Sequence, residues 1–82
     1  MQPTRFVYVL ESIDQPARHY TVLTSGVDAR LEYHNAGKCR HTAKHRPWRV
    51  LATVEFADPV RAAAFERYLK SGSGRAFAKR HF

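Results

Sequence analysis

The pattern of apolar and polar positions reads as a strand in three stretches of the chain and falls into helical spacing in three others. Residues 5–10, RFVYVL, are β-branched and aromatic, the composition of a strand. Alternation sets Phe6, Tyr8 and Leu10 on one face and Val7 and Val9 on the other, so both faces are expected to be buried. Asp14 and Pro16 mark a turn, and residues 19–24 return as a second strand with Tyr20, Val22 and Thr24 on a common face. The short connection favours an antiparallel pair. Ser25 and Asp28 read as a capping box that opens a helix closed by Asn35 and Gly37, with Val27 and Leu31 on the inner seam and Arg30 and His34 beside it. Residues 38–47 show no apolar period and read as an exposed loop with room for one helical turn.

Residues 49–56 form the third expected strand, with Trp48, Val50, Ala52, Val54 and Phe56 facing one way and Arg49, Leu51, Thr53 and Glu55 the other. Asp58 followed by Pro59 starts a helix that runs to about residue 70, offering Val60, Ala64, Phe65, Tyr68 and Leu69 to the core. Ser71-Gly72-Ser73-Gly74 breaks it, and Ser73 is placed to cap a last short helix anchored by Ala76 and Phe77. The order β-β-α-β-α-α predicts one α/β (α+β) domain over residues 1–82, a small and mainly antiparallel sheet flanked by helices.

Charge then narrows the class. Fourteen Lys and Arg against seven acids give +7, with a pI near 10.2. A small domain this basic is suited to phosphate, in nucleic acid first and on an anionic membrane second. The cations form two groups, Lys38, Arg40, Lys44, Arg46 and Arg49, then Lys70, Arg75, Lys79 and Arg80, which read as nucleic-acid contacts. No apolar run is long enough to span a membrane, the start of the chain lacks a secretory layout, and the single Cys39 suits a reducing compartment. A cytoplasmic protein is expected, a monomer or, through Phe77 and Phe82, a homodimer.

Tyr8, Tyr20, Arg30, His34 and Glu66 carry the candidate chemistry. Arg30 and His34, at i and i+4, project from one side of a helix one turn apart. A guanidinium can pair with a phosphate oxygen, a lone carboxylate can hold one hydrated Mg²⁺, and a phenol or imidazole can take a proton from water. An imidazole titrates near neutrality, whereas a phenol at about 10 needs nearby positive charge to bring it down. Plainer uses exist for each residue: core tyrosines, a surface ion pair for Arg30, a helix-dipole partner in His34, and a surface pair for Glu66. Cys39, His41 and His45, with His34 nearby, could form a metal site, but C-x-H-x₃-H lacks the paired spacing of ordinary zinc motifs.

The sequence resembles the small stand-alone proteins of the GIY-YIG nuclease superfamily along nearly its whole length. Phe6-Val7-Tyr8 and Tyr20-Thr21-Val22 match the two tripeptides, ARLEYHNAG the arginine helix, and TAKHRPWRVL and FERYLKSGSGRAFAKRHF the later blocks. The resemblance implies a three-stranded antiparallel sheet and a one-metal site. Tyr8, Tyr20 or His34 would help to activate water, Arg30 would steady the phosphate, and Glu66 would bind Mg²⁺ or Mn²⁺. The implied activity is endonucleolytic, on DNA ahead of RNA, with weak sequence preference and a place in repair or recombination. Phe6 and Val22 stand where the motifs have glycine, and no asparagine occurs beyond Asn35. Valine puts a branched side chain on the face of Tyr20, which leaves open a nucleic-acid-binding module of the same fold with weakened or lost cleavage.

Overall fold

The computed structural model describes Pro3 and residues 5–82. Three strands, β1 (Phe6–Ser12), β2 (His19–Thr24) and β3 (Trp48–Glu55), form an antiparallel sheet in the order β2-β1-β3. Four helices follow or interrupt them: α1 (Val27–Asn35), α2 (Arg40–Ala43), α3 (Pro59–Leu69) and α4 (Gly72–His81). The expected order holds, with α2 as the single turn allowed for in the basic loop.

β1 takes the central place because it can be buried on both faces, and Val7, Tyr8, Val9 and Leu10 are all 3% exposed or less. Val7 and Val9 pack with Ala62 and Leu69 of α3 on one side of the sheet. Tyr8 and Leu10 pack with Val22 and Trp48 on the other, under Val27 and Leu31 of α1. Each fully buried side chain of this size contributes roughly 1.5–3 kcal/mol from apolar burial.

β3 departs from the strict alternation read from its sequence. Val9 pairs with Ala52 but Leu10 pairs with Val50, so Leu51 is an extra residue in a bulge. A shift of one residue exchanges the faces of everything beyond it. Trp48 and Val50 therefore join the Tyr8 cluster, while Leu51 and Phe56 pack with Val7 and Val9 on the other side. The bulge lets one strand supply both cores.

The helices show three further differences. Gly26, not Ser25, is the N-cap of α1, without a side-chain cap bond, and the proposed Ser25–Asp28 box does not form. The buried Thr24 hydroxyl shapes that turn instead, accepting from the Gly26 N–H at 3.1 Å. At the other end Gly37 adopts φ 77°; its N–H bonds the His34 carbonyl and the Lys38 N–H that of Tyr33, the paired bonds of a Schellman close. Asp58 caps α3 through the Val60 N–H at 2.9 Å, with Pro59 in the first turn as the sequence indicated. The inner stripe of α3 is Ala62, Phe65 and Leu69, whereas Val60 is 73% and Tyr68 41% exposed and Ala64 points outward. Ala62 wins this place over the larger residues because its small side chain lets the helix lie close to the sheet.

α4 is capped by Ser71 rather than Ser73, and begins accordingly earlier; the Ser71 hydroxyl accepts from the Gly74 N–H at 3.1 Å. Gly74 is buried against the end of α3, where a Cβ would overlap the Tyr68 carbonyl. That close approach folds α4 back so that Phe77, Ala78 and Phe82, rather than the exposed Ala76, reach the core.

Candidate active site

The β1–β2 register assembles the first half of the site. Tyr8 lies directly opposite Val22 and Leu10 opposite Tyr20, so both tyrosines belong to the face covered by α1. Helical spacing then brings His34 onto the sheet, 1% exposed, with its ring edge-on to Tyr20 at 5.5 Å and to Tyr33 at 5.6 Å. Arg30, one turn earlier, stays exposed with its guanidinium 4.6 Å from the Tyr33 ring centre. Its positive charge nonetheless acts on both Tyr8 and His34. Tyr8, Tyr20, Arg30 and His34 thus stand on or beside the face covered by α1, with the histidine inside and the arginine at the rim.

The electrostatics assign different characters to these groups. Burial raises the Tyr8 phenol well above its ordinary value, outweighing the lowering effect of Arg30, while Tyr20 adds to the rise. The nearby positive charge therefore does not bring this phenol below its ordinary value. Tyr8 is a proton donor, and its hydroxyl is buried without a hydrogen-bond partner. His34 is shifted the other way: burial first, and then Arg30, holds it below the ordinary imidazole value. It is neutral around pH 7.

Its tautomer is set by its partners. His34 Nδ1 lies 2.8 Å from Thr42 Oγ1, and that hydroxyl is 3.4 Å from the Cys39 carbonyl, an acceptor. With the hydroxyl proton assigned to the carbonyl, Nδ1–H donates to Thr42 and the lone pair falls on Nε2. Nε2 is buried and has no partner. An unsatisfied donor in Tyr8 and an unsatisfied acceptor in His34 are thus held on one side of the sheet. Each such group costs about 1–3 kcal/mol, which argues for use rather than packing.

Thr42 is the residue that sequence reading missed. It is fully buried in α2, and its carbonyl accepts from Trp48 Nε1 at 2.8 Å. Asn35 completes the lock, accepting from the Trp48 N–H at 2.6 Å and donating to its carbonyl at 3.0 Å. A threonine in a charged loop gives no periodic signal of burial; only the folded contacts reveal it.

Glu66 is carried by α3, the helix that packs on the Val7 and Val9 side of the sheet. It shares the inner stripe of α3 with Ala62 and Leu69, and its half-buried carboxylate pairs with Lys70. Among the described residues no hydrogen bond or ion pair joins Glu66 to Tyr8, Tyr20, Arg30 or His34. A partly buried carboxylate fits the place of the one protein ligand on a hydrated Mg²⁺ or Mn²⁺. No group of three or more His, Cys, Asp and Glu comes together among the described residues, so Cys39, His41 and His45 do not form a metal cluster.

The two basic groups also separate by partner. Arg49 donates to Glu11 at 2.6 and 3.0 Å, and Glu11 also faces His19, which together with the arginine hold its carboxyl below the usual range. Lys38, Arg40, Lys44 and Arg46 are exposed around α2. Lys70, Arg75 and Lys79 line one cleft, whereas the exposed Arg80 lines another with Tyr68 and Phe77.

A sheet of this order, with phenols on adjacent strands, an arginine and histidine one turn apart on the next helix and a carboxylate on a later one, defines an α+β domain equipped for phosphoryl chemistry. The family model for the GIY-YIG catalytic domain matches residues 5–80, and the chain belongs to that family. Membership places it among nucleases acting on nucleic acid, a group that generally uses divalent metals. No curated protein and no solved structure matched the chain.

Proposed function

We propose that the protein is an endonuclease that hydrolyses phosphodiester bonds in DNA with Mg²⁺ or Mn²⁺ and with weak sequence preference. The observation that carries this reading is His34: buried, neutral, fixed by Thr42 and bare at Nε2. Neutral imidazole is the form that accepts a proton as water attacks phosphorus. Tyr20, half-buried and edge-on to the imidazole, connects it to the solvent side. Tyr8 stays protonated and serves as a hydrogen-bond donor. Arg30 offsets charge that develops on the phosphate oxygens. Glu66 would hold the cation, which when bound supplies Lewis-acid stabilisation of the leaving oxygen. A role in repair or recombination, and a cytoplasmic place, extend from the family and from the lone Cys39.

A second reading has its own observation. Val22 is 6% exposed, directly opposite Tyr8, in the position where the family motif has glycine. Its side chain helps cover Tyr8, which favours a binding module with weakened cleavage. Cutting of a labelled oligonucleotide with Mg²⁺ or Mn²⁺, against EDTA, separates the two. Wild-type cleavage that falls about 10²–10⁴-fold in His34→Gln supports the nuclease assignment. An inert wild type with an active Val22→Gly variant supports the binding module. Equal cutting by wild type and Glu66→Ala removes Glu66 from the site.

A further inference from the structure

A cleft of about 730 Å³ opens where the β2 edge strand meets the joint between α3 and α4. Its floor is aliphatic, from Val9, Leu69 and Ala78, on the sheet face away from His34. Three cations line it: Lys70 at the end of α3, and Arg75 and Lys79 one turn apart on α4. No acidic side chain lines it. Like charges at i and i+4 destabilise a helix by a few tenths of a kcal/mol. Among the described residues neither Arg75 nor Lys79 has an ion-pair partner, so α4 presents uncompensated charge towards the cleft.

Tyr20 joins this cleft to the site described above. It lies on the edge strand, lines the cleft and meets His34 edge-on. Lys70 makes the second link, since it lines the cleft and pairs with Glu66. The cleft therefore touches neighbours of both His34 and Glu66, which stand on helices packed against opposite faces of the sheet.

We propose that this cleft seats an unpaired nucleic-acid strand, with its phosphates on Lys70, Arg75 and Lys79 and a base against the aliphatic floor and Tyr20. Size and chemistry select this occupant. Clefts of roughly 300–1,000 Å³ enclose a small organic ligand, comparable to one or two nucleotides. A duplex, with a major groove alone about 12 Å wide, can only touch the rim. Apolar floor and aromatic rim suit an exposed base, for which stacking is worth about 1–3 kcal/mol, whereas in a duplex the bases already stack on each other. The substrate class is then a single strand, or a strand end frayed from its duplex. This inference rests on the nuclease reading for its purpose but not for its measurement.

Binding is measured by fluorescence anisotropy in EDTA, where no cleavage occurs, using a short labelled single strand, the same sequence as a blunt duplex, and anionic phospholipid vesicles as the competing phosphate source. The single strand is expected to bind at least tenfold tighter than the duplex. Arg75→Ala with Lys79→Ala should weaken it and reduce the slope of log K against log salt by about 1.4, two phosphate contacts at about 0.7 each. Arg61→Ala with Arg67→Ala removes equal charge from exposed positions of α3 outside the cleft, and should leave that slope unchanged. Unchanged thermal melting of both double variants ensures that a loss of binding is local. Tighter binding of the duplex, equal losses in the two double variants, or vesicles that displace the strand only when Arg75 and Lys79 are present would each overturn the proposal. A protein that binds the strand through Arg75 and Lys79 but never cuts contradicts the nuclease reading and retains this one; unaltered KM for cleavage of a single strand in the Arg75, Lys79 variant does the reverse.

Discussion

Tyr8→Phe is expected to stabilise the protein while impairing it. The change removes one oxygen from a side chain that is 0% exposed and whose hydroxyl has no partner. The ring keeps its contacts with Leu10, Val22 and Trp48, so no cavity opens. An unsatisfied buried hydroxyl costs about 1–3 kcal/mol, and the phenylalanine variant should recover a part of that. For a domain of this size 1 kcal/mol shifts Tm by roughly 4–8 °C, so calorimetry should show a rise of several degrees in metal-free buffer. Cleavage should fall at the same time, since the donor is gone. The pH dependence gives an independent arm. The folded Tyr8 phenol lies above its ordinary value of 10.0, so above that pH the unfolded chain loses its proton first and stability declines. Below 10 this contribution is fully present; the variant should show a flatter alkaline limb. A fall in Tm of several degrees would show that the hydroxyl is hydrogen-bonded in the folded protein, and would refute the reasoning together with its catalytic corollary.

Three further outcomes rest on specific contacts. Thr42→Val should cost about 1–3 kcal/mol by stranding His34 Nδ1–H, and nitrogen NMR should show the imidazole shifting to a mixture of tautomers, with Thr42→Ser restoring the single form; an unchanged spectrum refutes the assignment. Because His34 lies below its ordinary value of 6.5, stability should decline as pH falls beneath that value, by at most about 1.4 kcal/mol per unit, until the folded imidazole itself protonates. His34→Gln should flatten this acid limb, and an imidazole that titrates at or above 6.5 by NMR contradicts it. Gly74→Ala should destabilise by about 1–3 kcal/mol or more, because the added methyl meets the Tyr68 backbone rather than a movable side chain; a melting point equal to wild type would show that α4 can move away at no cost.

Much of this arrangement was legible because local rules and tertiary demands agree. RFVYVL reads as a strand buried on both faces, and Asp58-Pro59 reads as a helix start, for reasons confined to a few residues. Strand alternation places Tyr8 and Tyr20 together, and helical spacing adds Arg30 and His34. The failures lie where a distant element decides. Residues 48–56 alternate except at Leu51, and the bulge that falls there lets Trp48 reach the Thr42 carbonyl while Phe56 packs against Phe65 of α3. Ser73 is as good a cap as Ser71 in isolation; the contact of Gly74 with Tyr68 selects the earlier start. Burial of the Tyr8 phenol likewise depends on β2, β3 and α1 together, so a nearby arginine could be read from the sequence but its defeat by desolvation could not.

Val22 connects these facts. As glycine, the position would expose part of the Tyr8 ring opposite; as valine it adds apolar contact at the centre of a cluster shared by β1, β2, β3 and α1. Truncation of a buried aliphatic residue costs roughly 2–5 kcal/mol where the surroundings cannot collapse, a large fraction of the 5–15 kcal/mol that holds a typical domain together. The same side chain that supports so thin a core therefore also excludes solvent from the phenol and keeps it protonated. Stability and the reactivity of Tyr8 are set against each other at a single position. His34 escapes that conflict, because its neutrality comes from burial and its free Nε2 from Thr42, neither of which requires an open cleft above Val22. On the proposed nuclease reading, proton transfer therefore falls to the imidazole, with Tyr8 as a donor beside it.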